Sequence, residues 1–393
     1  MARPAPSPRG PAVSRRTVAW EWTRIGLIGF GGPPAHISLL RELVVVRRAW
    51  MDARAFEDAI AAVNLLPGPA STQLAIYCAY RVAGPAGAVI GGLGFVMPAV
   101  VIVLALSVLF LAHSPPHWVR GAGAGAGAAV AAVAVRAGVD LLGPSYARTR
   151  ASSLRSVRWF AYLLAGAVAA ALVATYLVLA LLACGALELA IRRAGSRPPD
   201  AGSGARVLLI PAAVAKGSVG ALAWTAFKVG ALAFGGGFVI IPLMQGDAVH
   251  TYHWTTSTQF LNAVALGQVT PGPVVATVAA IGYAAQGIGG GVLAAAIAFA
   301  PSFSFVLLGG RRFERLRRNA AARAFLDGAG PAAIGAILGA AVALTGDLTQ
   351  AWQAGVLAGA TVSLLLLRRG LVQTLLAAGA VGVIAVLLGA GTG

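Results

Sequence analysis

Apolar residues run along this chain in stretches interrupted by glycine and proline rather than by a regular polar face. Stretches long enough to cross about 30 Å of hydrocarbon begin near Trp20, Phe56, Pro85, Gly121, Trp159, Trp224, Phe260, Gly289, Phe325 and Trp352, and a last short one covers Leu371 to Leu388. Trp159 to Ile191 fits one tilted helix or two short ones, and Trp352 to Leu388 poses the same choice. The pattern predicts an all-α polytopic membrane protein with about ten transmembrane segments, several of them broken.

The pattern occurs twice. Phe30-Gly31-Gly32 recurs 204 positions later as Phe234-Gly235-Gly236, and Pro67-Gly68-Pro69 recurs at the same spacing as Pro271-Gly272-Pro273. One register also pairs Trp20 with Trp224, Trp50 with Trp254, Phe56 with Phe260 and Phe95 with Phe299. Matches among such rare residue types mark an internal repeat. The expected organisation is a basic, disordered cytoplasmic tail (1–19), a first half (20–191), a Gly/Pro/Ser/Asp linker (192–206) and a second half (207–393). Ser14-Arg15-Arg16-Thr17 is similar to a twin-arginine signal, but Trp20-Glu21-Trp22 follows in place of a clean apolar run.

Composition supports the membrane reading. Of 393 residues, 58% are hydrophobic and only 11% charged, with a mean hydropathy of +0.81, whereas soluble domains carry about 25% charged residues. The net charge of +18 comes from 30 Lys+Arg against 12 Asp+Glu, and these cations cluster between apolar stretches. That is a topological pattern rather than a nucleic-acid face. Two cysteines, Cys78 and Cys184, both in apolar runs, rule out a disulfide framework or a cysteine metal site.

Charge also orients the halves. Arg41, Arg47, Arg48 and Arg54 lie between the breaks of the first half, while Gln245 to Thr258 in the second has no Lys or Arg. Later the bias reverses: His113 to Trp118 is free of Lys and Arg, and its counterpart carries Arg311, Arg312, Arg315, Arg317, Arg318 and Arg323. Oppositely inserted halves follow, a design common in secondary transporters. One conflict accompanies this. The tail and the Arg41–Arg54 loop both read as cytoplasmic, so either the segment broken at Gly31-Gly32 is re-entrant, or Glu42, Asp52, Glu57 and Asp58 relax the bias.

The breaks carry the candidate chemistry. Pro-Gly-Pro inside a span leaves backbone groups without helical partners, and these survive in a membrane only against protein or a wet cavity. Exposed helix N-termini present partial positive charge to an anion. The competing structural role is close helix packing at small residues. Polar neighbours favour an anion site: Asn64 before the first Pro-Gly-Pro matches Gln268 before the second, Ser71, Thr72 and Gln73 follow the first, and Thr270 and Thr277 flank the second. Arg24 and Lys228 also match, each six residues before the Phe of a break; intramembrane cations mark pathways unless they snorkel. For coupling, His36, Glu42 and Asp58 are candidates, with Asp140 and Asp327 as further acids; Arg136 and Asp140 share a helix face at four-residue spacing. Phosphate-binding loops, nucleotide fingerprints and hydrolase motifs are missing, so an ion-gradient-driven transporter is expected, with no catalytic residues, metal or cofactor.

At Phe30-Gly31-Gly32-Pro33-Pro34-Ala35-His36-Ile37, Asn64 through Tyr77, Phe234-Gly235-Gly236-Gly237, Gln268 through Pro273 and Ala324 through Gly328, the chain resembles the chromate ion transporter family in its long two-half form. The likeness implies efflux of chromate from the bacterial cytoplasm, driven by the proton gradient, with sulfate as competing or exchanged ion and a homodimer as a possible assembly. Leu43 stands where the family commonly has a second acid, and Gln245-Gly246-Asp247 is less acidic than usual, which weakens a coupling role for that loop. A transporter of sulfate or another tetrahedral oxyanion remains the alternative, because these anions share charge and shape.

Overall fold

The computed structural model describes residues 13–64, 66, 68–112, 114–147, 153–172, 176–194, 219–233, 237–309 and 319–391, and among these every regular element is helical. Helix α1 (Arg15–Ile28) starts under a Ser14 cap, whose hydroxyl oxygen accepts the Thr17 N–H at 3.1 Å. Past Gly29, Gly31 and Gly32 take φ of 99° and 72°, the left-handed region that favours glycine. Helix α2 (Pro33–Arg41) then runs into a π-helical turn, Glu42–Arg47. Its far end returns to α1: Arg47 and Arg48 hold the Glu21 carboxylate at 2.5 and 2.6 Å, and Trp50 stacks on Trp22. The two helices therefore form a re-entrant hairpin, which resolves the charge conflict in favour of the first alternative.

A second hairpin follows. Helix α3 (Ala53–Val63), capped by Asp52, leads to the Pro-Gly-Pro break and to α4 (Ala70–Phe110). Helix α4 is folded on itself at Ala83 and Gly84, whose dihedrals are not helical. A Cβ on Gly91 would lie 2.5 Å from the Cβ of Ala79, yet twelve residues of straight helix would separate them by about 18 Å. Residues 70–82 are thus the returning arm of a re-entrant hairpin, and 85–110 make the first full crossing. Helix α1 lies along this crossing, with Val18 and Trp22 beside Gly91 and Gly26 beside Phe95, and Trp22 Nε1 donates to Ala75 O at 2.8 Å. Helices α5 (His117–Ala128) and α6 (Val130–Ala147) cross back, and α7 (Ser153–Leu172) and α8 (Leu177–Ala194) form an antiparallel pair.

The second half repeats this plan in α9 (Val219–Leu232), α10 (Ile240–Gln245), α11 (Ser257–Val269), the 3-10 turn Val274–Thr277 with α12 (Val278–Gly309), α13 (Ala320–Gly346), α14 (Ala351–Thr361) and α15 (Leu371–Leu387). The repeat reaches local detail. A π-helical turn at Gly246–Thr251 matches Glu42–Arg47, and Thr256 caps α11 where Asp52 caps α3. Ala49 and His253 share a positive φ. Beyond the 3-10 turn the register slips by one, so that Gly84 corresponds to Gly287 and Pro98 to Pro301. The sequence match of Phe95 to Phe299 is corrected accordingly: Gly26 packs on Phe95 as Gly230 packs on Ala298.

The crossing 85–110 and its counterpart in α12 pack against each other in opposite directions, Gly92 on Phe303 and Leu104 on Gly291. Equivalent helices running antiparallel show that the halves are inverted repeats. The halves also interlock: α13 lies along α7, with Gly335 against the carbonyl of Leu163 and Gly166 against that of Ala332, and α15 lies along α5 through Gly121 and Gly382. Small residues allow such close approach. Gly335→Leu is therefore expected to lower the thermal unfolding midpoint in detergent, at a cost of about 1–3 kcal/mol. Gly346→Leu, which faces open space, should leave it unchanged. At the end of the bundle that carries Arg47 and Arg48, Glu188 receives Arg158 at 2.9 Å and Arg192 at 2.8 Å, and Arg192 reaches Asp327 at 2.7 Å. Arg136 and Asp140 pair at 2.7 Å, so both of these further acids are held in ion pairs.

Candidate anion site

The described breaks, at Gly31-Gly32, Gly68 and Gly272, sit at the tips of re-entrant hairpins, and tips from opposite halves touch. The Gly272 N–H, in the second Pro-Gly-Pro, donates to the carbonyl oxygen of Gly29 at 2.9 Å, beside the first Phe-Gly-Gly. A Cβ on Gly272 would lie 2.8 Å from Ala99 Cβ and 3.5 Å from Gly26 O. The first Pro-Gly-Pro makes the mirrored contact, a Cβ on Gly68 lying 3.1 Å from Gly230 O and 3.5 Å from Ser302 Oγ. Gly26 and Gly230, like Ala99 and Ser302, are repeat counterparts, so the crossed arrangement obeys the pseudo-two-fold axis. Ala99 and Ser302 lie near the middles of their crossings, which puts all these contacts near mid-membrane.

Around Gly272 the tips enclose a cavity of about 20 Å³, lined by Gly31, Gly32, Gln268, Thr270 and Gly272 and bounded by Leu371. That is room for about one water, too small for any polyatomic ion while the tips stay together. Gln268 is 5% exposed and its Nε2 has no partner; a buried amide donor of this kind calls for a ligand or water. The Thr270 hydroxyl donates to Gly267 O at 3.3 Å. Helix starts at the tips are bare. Gly32, Pro69 and Pro273 give no side-chain cap, while Ser14, Asp52, Thr256 and Asn319 cap starts away from the tips. Unpaired amides and the helix dipole there favour negative charge.

His36, fully buried, links the two hairpins of the first half to the crossing 85–110. Its Nε2 donates to Gly29 O at 2.9 Å, which leaves Nδ1 of the neutral ring to accept the Ser71 hydroxyl at 3.3 Å, and its ring meets Phe95 edge-on. Thr72 and Gln73 are buried on the same arm, and Pro69, Pro271 and Pro273 are buried at the tips. Other candidates lie elsewhere. Arg24, Phe30, Glu42, Asp58 and Asn64 are exposed, so Asn64 is not brought to the cavity where its match Gln268 stands. Pro67, Phe234, Gly235 and Gly236 lie outside the described residues. Gln268→Leu is expected to reduce transport by about tenfold or more, as loss of a hydrogen bond to a charged ligand does, while Asn64→Leu changes uptake little; radiolabelled uptake decides.

Lys228 is neither bare nor snorkelling. Its Nζ lies 2.6 Å from Asp247 Oδ2, the Thr225 hydroxyl donates to the same carboxylate oxygen at 2.6 Å, and Trp224 covers the ammonium. Asp247 is 4% exposed, so the acid of this loop is buried in an ion pair. Thr225 is the counterpart of Glu21 and Asp247 that of Leu43, so each half ties its π-helical turn to its first helix by a different charge arrangement. An unaccompanied Lys228 in an apolar helix was the signal for a buried acid.

Oppositely oriented repeats with broken-helix tips meeting at mid-depth define the architecture of a multi-pass secondary transporter. The chain belongs to the chromate transporter family, which it matches over residues 16–189 and again over 220–385. It is 32% identical over 378 residues to the chromate transport protein of Cupriavidus metallidurans, covering 94% of this chain and 92% of that one. The chromate transport protein of Pseudomonas aeruginosa is 31% identical over 353 residues, covering 86% and 82%, and the probable chromate transport protein of Synechococcus elongatus is 30% identical over 346 residues, covering 85% of each. No solved structure matches.

Proposed function

We propose that this protein exports chromate across the bacterial plasma membrane, coupled to the proton gradient, with sulfate competing for the same site. The observation that carries the reading is the cavity at Gly31, Gly32, Gln268 and Thr270, where bare helix ends from inverted halves meet around an unpartnered amide. The names of the relatives supply the anion; the neutral donors suit a tetrahedral oxyanion. Arg47, Arg48, Arg158 and Arg192 gather at one end of the bundle, and the positive-inside bias turns that end to the cytoplasm. Coupling is assigned to the Lys228–Asp247 pair, the buried ion pair of the second half's first hairpin.

Everted vesicles test the reading directly. Chromate accumulation that needs an inward-acid proton gradient and is inhibited by sulfate is the expected result. Absence of gradient-dependent chromate accumulation would overturn it, and accumulation of sulfate alone would assign the site to that anion.

A further inference from the structure

Ser302 is fully buried in the crossing part of α12, and its hydroxyl has no hydrogen-bond partner. Serine and threonine within helices ordinarily bond the carbonyl one turn back. Ser107 does so to Val103 O at 2.7 Å, Thr345 to Ala341 O at 2.8 Å and Thr361 to Leu357 O at 2.8 Å. Ser302 does not, although the same bond is open to it by sequence. Its hydroxyl lies instead by the first Pro-Gly-Pro tip, where glycine at position 68 leaves space. A Cβ there would sit 3.5 Å from Ser302 Oγ and 2.8 Å from Gln73 Nε2. The arm that follows begins at Pro69 with no side-chain cap, so the N–H groups of Ala70, Ser71 and Thr72 have no carbonyl one turn back to bond. Thr72, in that turn, carries a second buried hydroxyl without a partner.

We propose that Ser302 is a ligand of the transported oxyanion, in a second half-site formed with Gly68, Gln73 and the first turn of the 70–82 arm. The inference rests on the oxyanion reading above and adds a residue and a location to it. The groups named are hydroxyls, an amide and backbone N–H groups, with no carboxylate to offset a cation, so the ligand is an anion. The two half-sites are related by the pseudo-two-fold axis but are not equal. The Gly272 side has the open cavity and Gln268, with Ala99 in place of a hydroxyl; the Gly68 side has Ser302. An anion handed from one tip pair to the other meets different donors on each side of the mid-plane.

The test is uptake by vesicles containing the full chain, with thermal unfolding in detergent measured on the same preparations. Ser302→Ala is expected to raise the chromate KM by about tenfold or more, with an unfolding midpoint at or above that of wild type because no existing bond is lost. Ser302→Thr, which keeps the hydroxyl, should stay nearer wild type. Wild-type uptake together with an unchanged KM in Ser302→Ala overturns the ligand role alone. Absence of uptake by wild type overturns the substrate reading and the ligand role together.

Discussion

Lys228→Ala is expected to abolish transport and to destabilise the protein. Removing the ammonium leaves the Asp247 carboxylate 4% exposed, with the Thr225 hydroxyl as its remaining close partner. Breaking one side of a buried ion pair costs about 3–5 kcal/mol, because an uncompensated charge stays behind. Less folded protein in the membrane and a lower unfolding midpoint follow. The pair variant Lys228→Met/Asp247→Leu separates the two effects. Leucine already stands at the equivalent position of the first half, Leu43, which is buried in the matching π-helical turn. Neutral packing should restore stability, while proton-driven transport stays absent. If the double variant transports with wild-type dependence on the gradient, the pair is structural and coupling lies elsewhere.

Gly272→Ala is expected to have a comparable effect by a different route. Its φ of 98° is a conformation L-residues rarely adopt, at about 1–3 kcal/mol for a side-chain-bearing residue. The added methyl would also meet Ala99 Cβ at 2.8 Å, and overpacking costs about 1–3 kcal/mol more. Both push the tip away from Gly29, with which it shares a backbone hydrogen bond. Chromate uptake should fall to background. Ala99→Gly in the same chain removes the clash and leaves the dihedral strain, so Gly272→Ala/Ala99→Gly should recover part of the stability. Full uptake by Gly272→Ala would show that the tip contact is dispensable.

Much of this fold was legible in the sequence because rare residues carry geometry. Phe, Trp and Pro held one register as far as the Pro-Gly-Pro breaks and slipped by one beyond them, and loop arginines reported opposite insertion, which the antiparallel packing of 85–110 on α12 bears out. Hairpins were harder to read. An apolar run of a given length is the same whether it crosses or doubles back, and α4 turns within two residues, Ala83 and Gly84, the latter with φ of 69°. Candidate site residues divided for a similar reason. Gln268 and the glycines at the tips lie at the breaks themselves, whereas Asn64 and Arg24 match their counterparts in sequence but point outward. Repeat position fixes the backbone; the side chain's face depends on what the other half places beside it. Ser302 carries no signal because it is a lone serine far along the chain from any break, and Asp247, in a loop discounted for its few acids, acquires its partner only through the hairpin.

The inversion that brings the tips together is tested most directly by labelling a matched pair of exposed helix caps. In a chain with Cys78 and Cys184 replaced by alanine, Asp52→Cys and Thr256→Cys occupy the same position of the two repeats, each before a helix start. With a membrane-impermeant maleimide, Asp52→Cys should react in everted vesicles and not in intact spheroplasts, and Thr256→Cys should show the reverse. Reaction of both cysteines from the same side would contradict inverted halves, and with them the meeting of hairpin tips at mid-membrane.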